Sequence, residues 1–578
     1  MIQLSSLARS TVSSRVLATT LALAFIFGHP AFVFGQSPFP LPGWFKQNIG
    51  RPQPPEKEKA LSELIKTLTS EGRLNLTEAD AVRLVLENNL DVVVDRFDPR
   101  LSEYDIDRGY AIFDPKFTTT LSIGRRTIPQ SNTVTSGVVA LRNFEHIANF
   151  SFSQLFQTGT SYAIEYTNFR QSSNSQRNFI NPFLSSGLRA TITQPLLRNF
   201  GTLPNKRLIL IARNNKEISE YLFAERLIAL VNLVQKLYWD IVFAREDIKV
   251  KQRSLDLATK TNEDNKRQVE IGTLAPIEVV QSESEIANRK EELIRAQYSL
   301  EQFEDQMKKY VSSYGDPAQI SARIEPLDKT LSPSAFKDFD LAQAVSYAIE
   351  ARPEIKQYKK DIENQEINVR YYKNQLLPSA NLELSYGTSA LVGQTQFFGP
   401  NGEVILGPNF GYQDSIHQLF GRDFPGYSAL VTVEVPIRNR AGQGDYAKAT
   451  FAKRQAEKRL KALEQQIALE VRNAHSMLEM NRARIEAAQK ARELAERNLE
   501  AEQKKFQLGT STIRFVLEEQ RDLAVAQSNE VSALVDFTKA KNDVDRATGK
   551  TLEVQNIRIE DAISGSQPPK QIPGTANQ

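Results

Sequence analysis

Two long stretches without a helix breaker constrain this chain more than any other feature. Residues 205–271 contain neither glycine nor proline, and neither do residues 445–508. Written as single helices at 1.5 Å per residue, each extends roughly 95–100 Å. Counting domains from the length of 578 residues fails when long helices replace a compact core. The second stretch is rich in Ala, Glu, Lys, Arg and Leu, the composition of a long antiparallel helical hairpin. Each stretch ends in Gly-Thr, within "VEIGTLAPIEVVQSESEIA" (269–287) and "FQLGTSTIRFVLEEQRDLA" (506–524). A shorter helical pattern returns after each turn, over about 276–312 and 513–547.

The turn is one part of a longer internal duplication. "LTEADAVRLVLENNLDVVV" (76–94) aligns with "FDLAQAVSYAIEARPEIKQ" (339–357) at an offset of 263, which also carries Pro115 onto Pro378. "TQPLLRNFG" (193–201) aligns with "EVPIRNRAG" (434–442) at an offset of 241, pairing Pro195 with Pro436. Gly272/Gly509 and Thr273/Thr510 pair at an offset of 237. The first half therefore carries 22 extra residues between its two prolines and 4 more before its Gly-Thr turn.

Each half reads in the same order. A helix comes first, over about 77–112 and 339–376, with periodic apolar positions such as Ala81, Val82, Val85 and Leu86 or Ala344, Val345, Ala348 and Ile349. Pro115 or Pro378 breaks it. Alternating segments follow, "FTTTLSIG" from Phe117 and "ANLELSYG" from Ala380. Returning strands are predicted at 187–196 and 427–437. In the last, Tyr427, Ala429, Val431, Val433 and Val435 share one face. Strands of about 10 residues with one apolar face fit a membrane barrel, and equally a half-exposed sheet on a soluble protein.

Composition narrows the function. The chain has no cysteine, which excludes disulfides, a thiol nucleophile and a Cys-ligated metal. Val16–Phe27 is an apolar run too short to span a bilayer, after Arg9 and Arg15, so residues 1–35 read as a secretory signal peptide. Its removal lowers the formal charge from +3 to +1, because the segment holds two arginines and no carboxylate. A near-neutral chain gives no reason to expect nucleic acid. No later apolar run of about 18 residues is read, so an exported chain of this kind is soluble or a β-barrel. The four histidines, His29, His146, His417 and His475, are scattered. No pair has metal-ligand spacing and no nucleotide loop is present, so neither an enzyme nor a cofactor is expected.

Taken together, these features resemble the outer membrane efflux protein family, the TolC-like channel-tunnels. The residues that carry the resemblance are "LTEADAVRLVLENN", "DLAQAVSYAIEARPEI", the Pro115 and Pro378 junctions, "QPLLRNFG", "VPIRNRAG" and the two Gly-Thr turns, spanning about 74–550. The resemblance implies a membrane β-barrel joined to a long α-helical barrel, built from two internal repeats. In it three chains, four strands from each, close one shared 12-stranded barrel. It implies an outer-membrane location with the helical part in the periplasm. The implied role is a passive exit duct of a tripartite efflux or type I secretion system. The implied partners are two further copies, outer membrane lipid, a periplasmic adaptor and an inner-membrane transporter.

Residue by residue, the resemblance places Gly272, Thr273, Leu274, Gly509, Thr510 and Ser511 at the adaptor-contacting tip. Glu278 and Glu518 fall at a tunnel constriction, and Pro115, Pro195, Pro378 and Pro436 at strand–helix junctions. Phe515 and Ser511 stand where the family often has an acid and a base, which weakens the case for an ion-pair lock at the tip. Phe506 reads equally as packing or gating.

The divisions are then a signal at 1–35, a Pro-rich extension at 36–73 with a short helix near 57–70, repeats at 74–325 and 335–550, and a tail at 551–578 that reads as disordered from 562. The 22 extra residues coincide with 148–169, where Phe150, Phe152, Tyr162, Ile164 and Tyr166 alternate about Thr158-Gly159-Thr160. This is an added hairpin, preferred as an extracellular lid, with two more wall strands per chain as the alternative. Residues 397–426 read as an extracellular loop. A periplasm-spanning coiled coil that transports nothing, and a secreted soluble enzyme, are the competing readings of the whole chain.

Overall fold

The computed structural model describes residues 69–70, 73–134, 136–311, 322–328, 340–399 and 403–564. The signal peptide, nearly all of the Pro-rich extension and the end of the tail lie outside these residues. Strands β1 (Thr69–Ser70), β2 (Arg73–Leu76) and β7 (Arg323–Pro326) form a small sheet, with β2 parallel to β7. Thr69 and Ser70 are therefore strand, not the end of the helix predicted near 57–70.

The first predicted helix, 77–112, is three helices: α1 (Glu78–Asn88), α2 (Leu90–Asp95) and α3 (Phe97–Tyr110). Thr77 and Asp80 start α1 with a reciprocal capping box. Asn89 explains the break. It caps the end of α1, and its side chain accepts the Val92 N–H (3.1 Å) to start α2. The second predicted helix, 339–376, is split into α6 (Leu341–Ala351) and α7 (Pro353–Gln375). Pro353 holds Arg352 extended, at ψ 133°, and then opens α7.

The long helices are α4 (Thr202–Glu270) and α9 (Arg440–Gln507), returned by α5 (Pro276–Val311) and α10 (Ile513–Thr548). Their middle is the main core. Leu76, Leu84, Val85 and Ile324 pack against Tyr238, Trp239, Ile241 and Met307. A matching cluster joins Ala344, Ala348 and Ile355 to Ile467, Val471 and Ala547. An 18-residue window within α4 has mean hydropathy 1.5 and is long and apolar enough to cross a membrane. The sequence reading of no such run is corrected; 67% of the window is buried inside this fold. Two short helices, α11 (Thr551–Val554) and α12 (Ile559–Ser564), follow α10, so residues 562–564 are helical rather than disordered.

The remaining strands build one continuous antiparallel sheet. They are β3 (Lys116–Pro129), β4 (Ala140–Leu155), β5 (Ser161–Ser173), β6 (Ile180–Pro195), β8 (Ser379–Phe398) and β10 (Pro425–Glu434). Their spatial order is β10-β8-β6-β5-β4-β3, with the short β9 (Val404–Asn409) paired to the outer end of β8. Four strands were expected, and six are present. The added hairpin lies within the sheet: β4 pairs along β3 and β5 along β6 over nearly their full lengths. Its tight turn lies at the helical end of the sheet. The Gly201 N–H donates to the Thr158 carbonyl (3.1 Å), and a side chain on Gly159 would sit 2.7 Å from the Asn199 carbonyl. Gly159, at φ +89°, is the residue type that this close approach requires.

Residues 397–426 are also more than a loop. They contain β9 and helix α8 (Tyr412–Gly421), which folds back over β6 and β8. Ser415 and Ser186 share a buried hydroxyl–hydroxyl hydrogen bond (2.8 Å), and the Leu391 N–H donates to Gln418 (3.2 Å).

Candidate functional site

Cross-strand pairing sorts the sheet into two faces, because directly opposed residues in antiparallel strands point the same way. One face is apolar and aromatic across every strand. It carries Phe117 and Leu121 on β3, Phe152 on β4, Ile164 on β5, Ile192 on β6, Leu384 and Tyr386 on β8, and Tyr427 and Val431 on β10. Most of these are exposed in the single chain; Phe117 and Leu121 are 64% and 66% exposed. The other face carries Thr118, Thr120, Ser151, Glu165, Arg189, Thr191, Glu383, Ser385, Ser428 and Thr432. A groove of about 890 Å³ opens on this polar face, lined by Glu165, Thr167, Arg189, Ser385, Ser389 and Ser428. The polar face thus suits the water-facing side of a barrel.

The strands meet the helices at a hydrogen-bonded seam, where Pro195 ends a strand, Pro115 and Pro378 precede one, and Pro436 lies two residues past one. After Pro195, Leu196 N–H donates to the Ala380 carbonyl (2.7 Å) and Arg198 N–H to the Pro378 carbonyl (3.3 Å). Asn199, at φ 65°, donates its N–H to Asn374 (2.8 Å) and accepts from Gln375 (2.7 Å). Pro195 and Pro378 are thus drawn together. Pro115 and Pro436 lie by the two edge strands, β3 and β10. Near them Gln154 donates to the Phe113 carbonyl (3.1 Å), and Asn439 caps α9 through the Gly442 N–H (3.1 Å).

At the far end the two Gly-Thr turns take one conformation. Gly272 and Gly509 have φ of 79° and 72°. Gly272 N–H donates to Val269 O (3.0 Å) and Thr273 N–H to Gln268 O (2.9 Å). Gly509 N–H donates to Phe506 O (3.0 Å) and Thr510 N–H to Lys505 O (3.0 Å). These are two Schellman endings, which explains the glycine. The threonine is explained too: its hydroxyl donates to the same carbonyl as its N–H, in Thr273 to Gln268 (3.0 Å) and in Thr510 to Lys505 (3.1 Å).

The hairpins lie side by side. Leu257 of α4 and Phe506 pack on the cluster Leu499, Ile513, Val516 and Leu517, so Phe506 is a packing residue here. Gln520 of α10 donates to Thr261 of α4 (3.0 Å). Leu274 is half-buried and Ser511 donates to Glu502. Glu278 and Glu518 are not brought together. Glu518 is exposed, 3.8 Å from Arg521, while the Glu278 Oε2 is buried without a hydrogen-bond partner among the described residues. Burial first, then the neighbouring Asp522, Glu502 and Glu518, raises the Glu519 carboxyl above its ordinary range. The second turn thus carries a cluster of acids, with Lys505 paired to Glu502 and Arg521 near Glu518.

Sequence reasoning missed two groups. Between the tip helices Gln520 pairs with Thr261 and Ser282 donates to Asn262 (2.7 Å), and Asn265 is buried as well. Asn262 and Asn265, three apart on a helix face, were the only signal. Glu78 accepts from Gln235 (2.7 Å), Asn542 (2.9 Å) and Trp239 (3.2 Å), tying α1 to α4 and α10. Among the described residues no group of His, Cys, Asp and Glu could hold a metal ion.

A family model described as outer membrane efflux protein matches residues 344–550. No curated protein sequence matches the chain. Solved structures share its fold at low identity. The Campylobacter jejuni CmeC outer membrane channel gives a TM-score of 0.58 at 14% identity, covering 93% of this chain and 97% of its own. VceC, an outer membrane protein of Vibrio cholerae, gives 0.57 at 14%, covering 82% and 96%. CusC, crystallised in a study of its folding and transmembrane channel formation, gives 0.57 at 15%, covering 82% and 92%. The family model and the fold agree with the resemblance read from the sequence. The family model spans residues 344–550, and the solved channels share the fold of the chain.

Proposed function

We propose that three copies of this chain form a passive exit duct of a tripartite efflux or type I secretion system. In this reading residues 74–325 and 335–550 are two structural repeats, each giving one helical hairpin to a shared tunnel. The carrying observation is the sheet itself, apolar on one face and polar on the other, and continuous with helices of 69 and 68 residues. Such helices are on the order of 100 Å long. The edge strands β3 and β10 leave unpaired N–H and C=O groups, which lipid does not satisfy. Pairing of β3 from one copy with β10 of the next closes the sheet and supports a ring.

The energy and the choice of substrate then belong to an inner-membrane transporter, reached through a periplasmic adaptor. The two turns, Gly272-Thr273-Leu274 and Gly509-Thr510-Ser511, with both glycines and both threonines exposed, are the surface offered to that adaptor. Glu518, which is exposed, and Glu278, which is half-buried, are the carboxylates offered to cations near the tunnel mouth.

Cysteine-directed cross-linking from Ser511→Cys in cells tests the assignment, and the chain has no native cysteine to confuse it. The expected product joins this chain to one periplasmic adaptor, identified by mass spectrometry, and is matched from Leu274→Cys. Products containing only copies of this chain, from both positions, contradict adaptor docking at the tip.

A further inference from the structure

We infer that the β4–β5 hairpin is part of the membrane wall, so that three chains close eighteen strands, six from each. The inference rests on the trimeric reading above. Three observations carry it. First, β4 and β5 sit between β3 and β6 in the sheet, and β3 is hydrogen-bonded to β4, not to β6. Second, the hairpin follows the same two-faced pattern as its neighbours. Phe150, Phe152, Ile164 and Tyr166 lie on the apolar face, and Asn149, Ser151, Glu165 and Thr167 on the polar one. An extracellular flap has no use for that continuity; a lipid-facing wall requires it. Third, the turn 156–160 is built into the strand–helix seam, through Gly201 N–H to Thr158 O and the close packing of Gly159 on Asn199 and Asn205.

The dimensions of the two sections point the same way. At any level the helical part shows four helices per chain: α3, α4, α7 and α9 above, and α4, α5, α9 and α10 below. Three chains give a ring of twelve, with a circumference of about 100–120 Å at about 8–10 Å per helix. Strands about 4.8 Å apart and tilted by about 35–45° each take up about 6–7 Å of circumference. Twelve strands would then span only about 75 Å and pinch the duct where it enters the membrane. Eighteen span about 110–120 Å, close to the helical ring. The added hairpin thus gives the membrane section a circumference matched to the helical ring.

Single-cysteine labelling in the otherwise cysteine-free chain decides the matter. Thr158 is exposed at the helical end of the hairpin, and Val134 is 75% exposed in the loop at the opposite end. On intact cells, a membrane-impermeant maleimide is expected to label Val134→Cys at least tenfold more than Thr158→Cys. The two should become equal once the outer membrane is permeabilised. Comparable labelling of both on intact cells returns the hairpin to a surface lid and overturns the inference.

The pair Thr118→Cys/Ser151→Cys supplies an independent check, because those residues are opposed across β3 and β4. Its oxidation within one chain supports six strands, whereas efficient oxidation of Thr118→Cys/Thr191→Cys would join β3 to β6 and overturn them. If neither Val134→Cys nor Thr158→Cys is labelled on intact cells and the protein fractionates as soluble, the outer-membrane duct itself fails, and the inference with it.

Discussion

Gly272 and Gly509, 237 positions apart, stand in the same backbone state, at φ 79° and 72°, each followed by a threonine that donates twice to one carbonyl. An added Cβ would meet nothing within 4 Å at either glycine. Their constraint is therefore conformational, not steric crowding by neighbours, and the surface around them is open.

Gly272→Ala and Gly509→Ala should each cost about 1 kcal/mol, the price of an L-residue in the left-handed region. The effect should be local. Hydrogen exchange of amides near each turn should quicken about fivefold, with the core around Tyr238 and Ile241 unchanged. A uniform change across the chain would contradict a turn-only role.

Glu78 holds three donors from two other helices. Glu78→Ala leaves all three without an acceptor and should destabilise the purified protein by on the order of 3 kcal/mol. Desolvation raises the Glu78 carboxyl above its usual value, and the hydrogen bonds from Trp239, Asn542 and Gln235 oppose this only in part. A raised carboxyl binds its proton more tightly when folded. Stability from this group therefore falls as pH rises from the ordinary carboxylate value through the raised one. Denaturation of wild type and Glu78→Gln across this range should show the wild-type advantage shrinking toward neutral pH; an advantage that grows contradicts the burial argument.

Arg352, at the break between α6 and α7, reaches Glu354 (2.5 Å) and Glu470 of α9 (2.6 Å) with its side chain 9% exposed. Arg352→Ala should cost about 2–4 kcal/mol, because it strands two partly buried carboxylates. Burial alone would raise the Glu470 carboxyl; hydrogen bonds, chiefly from Arg352, hold it below its ordinary range. Its contribution is present above the ordinary carboxylate value and lost as pH falls through the lowered one. Thermal unfolding at pH 7 and pH 3 should show the Arg352→Ala deficit shrinking in acid.

The two faces of β10 should respond oppositely to charge. Val431→Arg puts a guanidinium on the apolar face and should cost about 2–4 kcal/mol of barrel stability, whereas Thr432→Arg, one residue on, should be tolerated. Heat-modifiable gel migration checks this. Loss of the heat-sensitive form in Thr432→Arg but not in Val431→Arg would invert the face assignment.

Much of this was legible in the sequence because single residue types carried it. The breaker-free stretches became α4 and α9 to within a few residues, and the Gly-Thr pairs became Schellman endings, since only glycine adopts that φ freely and threonine can reach back to the same carbonyl. The strand count was not legible. Alternation at Phe150, Phe152, Ile164 and Tyr166 reads alike in a lid and in a wall; what separates them is the long-range contact of Thr158 with Gly201. Asn89 and Pro353 broke helices that periodicity alone ran through. At the tip, the acids Glu278 and Glu518 were placed by resemblance, while the bond from Ser511 to Glu502 and the Asn262–Ser282 pair came from packing across the turn within each hairpin, which helical periodicity does not encode.

The most direct measurement is the current carried by the purified, detergent-extracted protein in a planar lipid bilayer, with its mass determined alongside. The account predicts a three-chain particle that inserts and gives discrete, cation-favouring conductance steps, with the cation preference reduced in the Glu278→Gln/Glu518→Gln double variant. A single-chain particle, or a trimer that inserts and stays silent at every voltage and pH tried, would contradict it.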